Sequence, residues 1–409
     1  MKIKTTPVRG MNDYGPQEKA IREYAKSKIV EAYEKCGFLW IETPVMESME
    51  ALFRDSGENT KLMYKVLKRG EKLDINNIRA EDDLVDCGLR YDFTVPLVRF
   101  YAGNMDKLIS PFKSIQIGDV FRADRPQKGR SRQLVQCDID ILGDVTSDAD
   151  VEVLYAASSA LRNLGFKEYT FGINDRRILR ALVVGAGFNE AEFTDVCISL
   201  DKLDKIGADG VLEELEAKGY AKSKANKLLK ALDDISEQGV EILPKYNVPD
   251  EVINNIITIM TEFKKVAGDG VDIKYIPVLT RGQGYYTSTV FEVYIDGYEG
   301  ACGGGGRYDN MVEQFIGVKV PAVGFSLGFE RLCLLLKLER SNDKNLAILK
   351  NDESISDVIK MAESLRVRGY KVSIFRKSRN MAFQLDKLKA TGYRFYVNLS
   401  NGVEIREIK

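Results

Sequence analysis

Apolar and polar residues recur with two different periods along this chain, and the switches between them mark its elements. After Gly15, the residues Ile21, Ala25, Ile29, Ala32 and Tyr33 fall on one face at helical spacing. That predicts an amphipathic helix with Pro16 in its first turn and Gly37 as its stop. FLWIETPVME is a short apolar strand ended by Pro44. In LRYDFTVPLVRFYAGN (89–104), charges sit inside an apolar frame, and Asp92 and Thr94 take alternate positions as on a strand. KSIQIGDVF (113–121) alternates with period two. DADVEVLYAASSALRNLGF (148–166) returns to the helical period and stops at a glycine.

From about 175 to 272 the texture changes to Lys/Glu-rich helical segments such as GVLEELEAKGYAKSKANKLLKALDDI, which reads as a helical insertion. Strand signals resume at DIKYIPVLT and YYTSTVFEVYI. A polar stretch, SNDKN (341–345), reads as a linker. Beyond it, LAIL (346–349), Ile355 to Arg368, YKVSIF (370–375), Asn380 to Ala390 and YRFYV (393–397) form a β-α-β-α-β pattern. Such alternation predicts a small α/β domain with a largely parallel sheet.

A length of 409 residues suits two or three domains. With 44% hydrophobic and 30% charged residues the chain reads as soluble and globular. No apolar run reaches the ~18 residues of a membrane helix. The start, MKIKTTPVRG, has no apolar stretch behind its lysines and is not read as a secretory signal. Cysteines at 36, 87, 137, 197, 302 and 333 include no CxxC pair, which fits reduced thiols in a cytoplasm rather than disulfides or zinc. A net charge of −1 leaves any nucleic-acid contact to local patches. The chain has no histidine at all. That removes the commonest general base and metal ligand, and no metal-ligating set is read. Chemistry falls to carboxylates, Arg, Lys, Tyr and backbone groups.

Those groups are concentrated. FRADRPQKGRSRQLVQCDID (121–140) reads as a hairpin carrying Arg122, Arg125, Lys128, Arg130 and Arg132 against Asp124. Arginine forks clamp phosphate or carboxylate oxygens bidentately. On the outgoing strand Gln136, Asp138 and Asp140 share one face. In RGQGYYTSTVFEVY (281–294) an Arg among glycines precedes two tyrosines. On a strand, Tyr285 and Tyr286 would point to opposite faces, so at most one would reach a given pocket. CGGGGRYD (302–309) lets backbone approach a ligand closely, or makes a flexible turn; it is neither a P-loop nor GxGxxG before a helix. In GFSLGFERLCLLL, Glu330 and Arg331 adjoin an apolar run where an unpaired charge is expensive. Singly, each has a bland reading as a solvated turn, a bulge or a structural ion pair. Together, carboxylates, arginines and a Gly loop suit a ligand with an ammonium and an anionic group, such as an amino acid.

In order along the chain, RGMNDYGPQE, the first helix with FLWIETPVME, FRADRPQKGRSRQLVQCDIDILG, RGQGYYTSTVFE, ACGGGGRYD and PAVGFSLGFERL resemble the signatures of class II aminoacyl-tRNA synthetases, specifically the histidyl-tRNA synthetase family. The resemblance covers nearly the whole chain. It implies an α/β protein with an α+β catalytic domain: an antiparallel six-stranded sheet flanked by helices, a helical insertion, and a C-terminal α/β anticodon-binding-like domain. The corresponding spans are 1–174 and 273–340 for the catalytic domain, 175–272 for the insertion and 344–409 for the last domain.

It further implies a homodimer that uses ATP with Mg²⁺, histidine and tRNA. By position, Arg122 and Arg281 would be catalytic, clamping and stabilising the ATP α-phosphate, and Arg331 would reach the triphosphate. Arg130 and Arg132 would assist at the nucleotide, with Gln127, Lys128 and Arg130 meeting tRNA. Asp92 and Thr94 would hold the amino end of histidine, with Gln136 nearby. Asp140 and Tyr286 would read the imidazole, with Tyr285, Gly304, Gly305 and Arg281 completing that site. No general base is needed, because the nucleophile is an ionised carboxylate, and attack on phosphorus requires positioning plus cations. A second reading stays open: a paralogue of this family that senses histidine as the non-catalytic regulatory subunit of ATP phosphoribosyltransferase.

Overall fold

A computed structural model of the chain describes residues 3–54, 63–126, 131–281, 284–337, 344–401 and 404–408. Two compact units are present: Met1–Asn12 with Ala25–Leu335, and Asp13–Tyr24 with Leu336–Lys409.

The helical stripe near the N-terminus forms α1 (Pro16–Lys35), which buries Ala25, Ile29, Ala32 and Tyr33 within the first unit. Gly37 follows with φ of 82°, a left-handed stop that costs glycine little. FLWIETPVME is interrupted at Pro44 and makes two strands, β1 (Leu39–Trp40) and β2 (Met46–Ser48). Then come α2 (Met49–Arg54), β3 (Tyr64–Leu67) and β4 (Val85–Leu89), which with β2 form a small antiparallel sheet. The segment after β4 departs from the strand expected there. Strand pairing ends at Leu89 and helix α3 (Thr94–Ala102) begins at Thr94. The Asp92 carboxylate accepts the Thr94 N–H at 3.1 Å, an Asx turn that leads into the helix, so a local side-chain bond overrides alternation.

The main sheet is built next. The strands β5 (Phe112–Phe121) and β6 (Gln133–Leu142) make a long antiparallel pair, followed by α4 (Ser147–Asn163) and β7 (Tyr169–Asp175). Helices α5 (Arg176–Gly185), α6 (Phe193–Leu200), α7 (Leu203–Ala217), α8 (Lys222–Gln238) and α9 (Asp250–Val266) then precede β8 (Val271–Tyr275). β9 (Thr289–Ile295), β10 (Gly303–Arg307), α10 (Met311–Ile316), β11 (Ala322–Gly328) and α11 (Phe329–Leu335) complete the unit. The sheet order is β1-β5-β6-β11-β10-β9-β7-β8. The six strands from β5 to β7 pair antiparallel, and β1 and β8 flank them in parallel. Helices cover the sheet: Phe263 of α9 stacks edge-on against Phe171 of β7 at 5.2 Å between ring centres. Burying rings of this size contributes about 1.5–3 kcal/mol each.

The glycine run is neither loop nor turn. Gly303 to Gly306 pair with β9 on one side and β11 on the other. A side chain at Gly305 would come within 1.9 Å of the Gly324 carbonyl, so the glycines let backbone and site groups close in where any Cβ would collide.

The second unit carries the C-terminal alternation: β12 (Asn345–Lys350), α12 (Ile355–Val367), β13 (Lys371–Arg376), α13 (Met381–Ala390), β14 (Phe395–Asn398) and β15 (Arg406–Glu407). The sheet order is β13-β12-β14-β15, parallel except for the edge strand β15. Asn380 caps α13 by accepting the Phe383 N–H at 3.2 Å.

Candidate active site

Period-two geometry places Gln136, Asp138 and Asp140 on one face of β6, directly across from Gly328, Ser326 and Gly324 of β11. That face forms one wall of a recess. Arg122 enters from the end of β5, and Asp92 and Thr94 from the start of α3. Arg281, Tyr285 and Tyr286 come from the segment before β9, and Gly304 and Gly305 from β10.

Both tyrosines line the recess, contrary to the expectation of one at most. β9 starts only at Thr289, so strand alternation does not govern residues 285 and 286, and their rings lie side by side at 4.8 Å. Tyr285 Oη donates to Asp92 at 3.3 Å and meets Thr94 Oγ1 at 3.2 Å. Arg281 Nη1 pairs with Glu292 of β9 at 2.7 Å. A Cβ at Gly304 would come within 2.4 Å of that same nitrogen. Arg122 Nε donates to the Tyr91 carbonyl at 3.0 Å and Nη2 to Gln136 Oε1 at 3.0 Å, so two fixed acceptors aim the guanidinium.

Two other arginines do not line this recess. Arg132 is spent on backbone, its Nε donating to the Asp124 carbonyl at 3.0 Å. Arg331 donates to the Ala301 carbonyl beside α11. Gln127, Lys128 and Arg130 lie outside the described residues.

Sequence reasoning missed Tyr308, Ser326, Gly324 and Phe325 as lining residues, and it left Asp138 without a role. Asp138 had a signal, its shared face with Asp140. Tyr308 and Ser326 reach the recess only through sheet pairing. Tyr308 Oη donates to Asp140 Oδ1 at 2.6 Å.

Burial pushes both strand carboxyls up to about 7, Asp138 further through Asp140, and Asp140 further through Asp92. Burial likewise raises Tyr286 and Tyr308. For Arg281 burial disfavours the charge, but the ion pair with Glu292 keeps the guanidinium protonated. The recess therefore joins an acidic wall to two cationic forks. This is the polarity a zwitterion and a phosphate require side by side.

Residues 10–332 match the family model for histidyl-tRNA synthetase. The chain belongs to the histidyl-tRNA synthetase family. It is by that family a ligase. The histidine–tRNA ligase of Leifsonia xyli subsp. xyli is 41% identical over 96% of this chain and 94% of its own length. The crystal structure of histidyl-tRNA synthetase from Nostoc sp. has a TM-score of 0.76 at 25% identity, covering 100% of this chain and 95% of that one. An ATP phosphoribosyltransferase regulatory subunit/histidyl-tRNA synthetase from Bacillus halodurans also has a TM-score of 0.76. It covers 97% of this chain and 98% of that one at 20% identity, a likeness of fold alone.

Proposed function

We propose that this recess activates histidine with ATP and that the histidyl group then passes to the 3′ end of its tRNA. The observation that carries the reading is the convergence of Asp92, Asp138 and Asp140 with Arg122 and Arg281 in one cavity. The ammonium of histidine lies against Asp92, Thr94 and Gln136, and its imidazole against Asp140 and Tyr286. Its carboxylate oxygen attacks the α-phosphorus of ATP; the new O–P bond forms as the bond to pyrophosphate breaks. Arg122 and Arg281 offset the charge that grows on the phosphoryl oxygens, with no reorganisation at the moment of reaction.

Among the described residues, no group of three or more acids or thiols stands ready to cage a cation. Mg²⁺ bound together with ATP would supply counter-charge to the phosphates beside Arg122 and Arg281. In this reading Gln127, Lys128 and Arg130 meet the tRNA backbone, which makes that step salt-sensitive. A homodimer in the cytoplasm completes the reading, and no helix among the described residues is long and apolar enough to cross a membrane. Histidine-dependent ATP–pyrophosphate exchange tests it. Absence of exchange, together with binding to the catalytic subunit of ATP phosphoribosyltransferase, would replace it with the regulatory reading.

A further inference from the structure

Arg122 holds its place in the recess partly through the side-chain carbonyl of Gln136, at 3.0 Å. A glutamine amide can sit either way round, and its direction is set by its neighbours. Here the neighbours leave one choice. Arg122 has only donors, so the carbonyl must face it. On the other side, Gln136 Nε2 lies 3.2 Å from Asp138 Oδ1 and 3.3 Å from Oδ2, and in its ionised form that carboxylate only accepts. Asp138 is itself pinned by Ser326 Oγ, its partner across the β6–β11 register, which donates to Oδ1. Ser326 Oγ also accepts from Gln136 Nε2 at 3.1 Å. Gln136 and Asp138 are buried and Ser326 is half-buried, and at the two buried groups a hydrogen bond lost is not readily replaced by water.

We propose that Asp138 is a positioning residue: with Ser326 it fixes the amide of Gln136, and through that amide it aims Arg122 at the reacting phosphate. This rests on the ligase reading of the recess. Asp138 needs no contact with either substrate to act this way. A guanidinium displaced by even an ångström loses much of its effect on the transition state.

Asp138→Asn puts an NH₂ group where Gln136 meets a carboxylate oxygen. The amide of Gln136 loses the charged acceptor on its far side and is held only by Arg122, Ser326 and one neutral oxygen. The histidine-dependent exchange rate should fall roughly 10- to 100-fold in kcat, with the KM for histidine and for ATP changed by no more than about threefold. Ser326→Ala should fall in the same direction by less.

The decisive variant is the double replacement Asp138→Asn with Gln136→Glu. It reverses donor and acceptor. The amide introduced at position 138 donates to the carboxylate introduced at position 136, while an oxygen at position 136 still faces Arg122. Recovery of most of the lost kcat supports the proposal. An unchanged rate in Asp138→Asn, a change confined to the KM for histidine, or a double variant no faster than the single one overturns it. Circular-dichroism melting of each variant identifies any that fails to fold. If the unaltered protein catalyses no exchange, the ligase reading fails first. Crystal structures of the protein and of Asp138→Asn then decide the proposal: Arg122 leaving residue 136 in the variant supports it, and an unmoved Arg122 overturns it.

Discussion

Arg281 and Glu292 are locked together, Nη1 to Oε1 at 2.7 Å, although the arginine lies before β9 and the acid within it. Tyr294 Oη donates to the other oxygen of Glu292 at 2.7 Å. The Arg281 Nε is buried with no hydrogen-bond partner among the described residues. The guanidinium is thus anchored at Nη1 by Glu292 while Arg281 lines the recess. Arg281→Ala should lower exchange by on the order of 10²–10³ in kcat, the scale of a lost preorganised donor. Glu292→Gln keeps the cation but loosens its anchor, and should lose less. Steady-state exchange kinetics on both variants check the ranking.

In the proposed reading Arg122 serves ATP, and Gln127, Lys128 and Arg130 serve tRNA. Arg122→Ala should abolish adenylate formation. Lys128→Ala should leave exchange intact and weaken only transfer to tRNA, with a smaller salt dependence than the unaltered protein. Equal loss of exchange in both variants would refute the division.

Gly324 is where the site leaves no room. A Cβ there would come within 1.9 Å of Asp140 Oδ1. Gly324→Ala should therefore push the Asp140 carboxyl out of line, raise the KM for histidine and cost about 1–3 kcal/mol in stability, as overpacking does. Urea unfolding and histidine titrations of the exchange rate measure the two effects.

Stability should depend on pH through the strand carboxyls. Asp138 and Asp140 are pushed up to about 7, so the folded chain keeps protons that an unfolded chain, with an ordinary carboxyl near ~4, has released. Their contribution is full below about pH 4 and is lost as pH rises through about 7. Asp140→Asn removes one of these groups. Relative to the unaltered protein, it should gain in urea midpoint between about pH 5 and about pH 8. A difference that does not move with pH refutes the assignment.

Arg307 and Asp150 form a buried pair, Nε to Oδ2 at 2.7 Å, with the acid fully enclosed. Arg307→Met leaves that acid without its cation and should cost about 3–5 kcal/mol. Exchange by the fraction still folded should be unaffected, as neither residue lines the recess. Unfolding curves alongside exchange rates per folded molecule separate the two outcomes.

Much was legible because it is local. The 3.6 and 2.0 periods gave α1, β5 and the C-terminal alternation. The polar face of β6 announced itself through Gln136, Asp138 and Asp140, and the clustered arginines through charge alone. Local patterns failed where a neighbour outweighed them. LRYDFTVP looks like a strand until Asp92 folds back on the Thr94 N–H and a helix starts there. Tyr285 and Tyr286 look opposed until β9 is seen to begin after them. The glycine run looks like a turn until both its edges are paired.

The sequence by itself determined which residues carry charge, which segments repeat as helix or strand, and which signatures occur in which order. Only the tertiary structure decided that β11 lies beside β6, which sets Ser326 on Asp138 and Gly324 under Asp140. It also decided that Arg132 and Arg331 turn to backbone carbonyls while Arg122 turns to the recess. The reason is physical: a period fixes a side chain's direction within its own element, but its partner is fixed by packing between elements far apart in the chain.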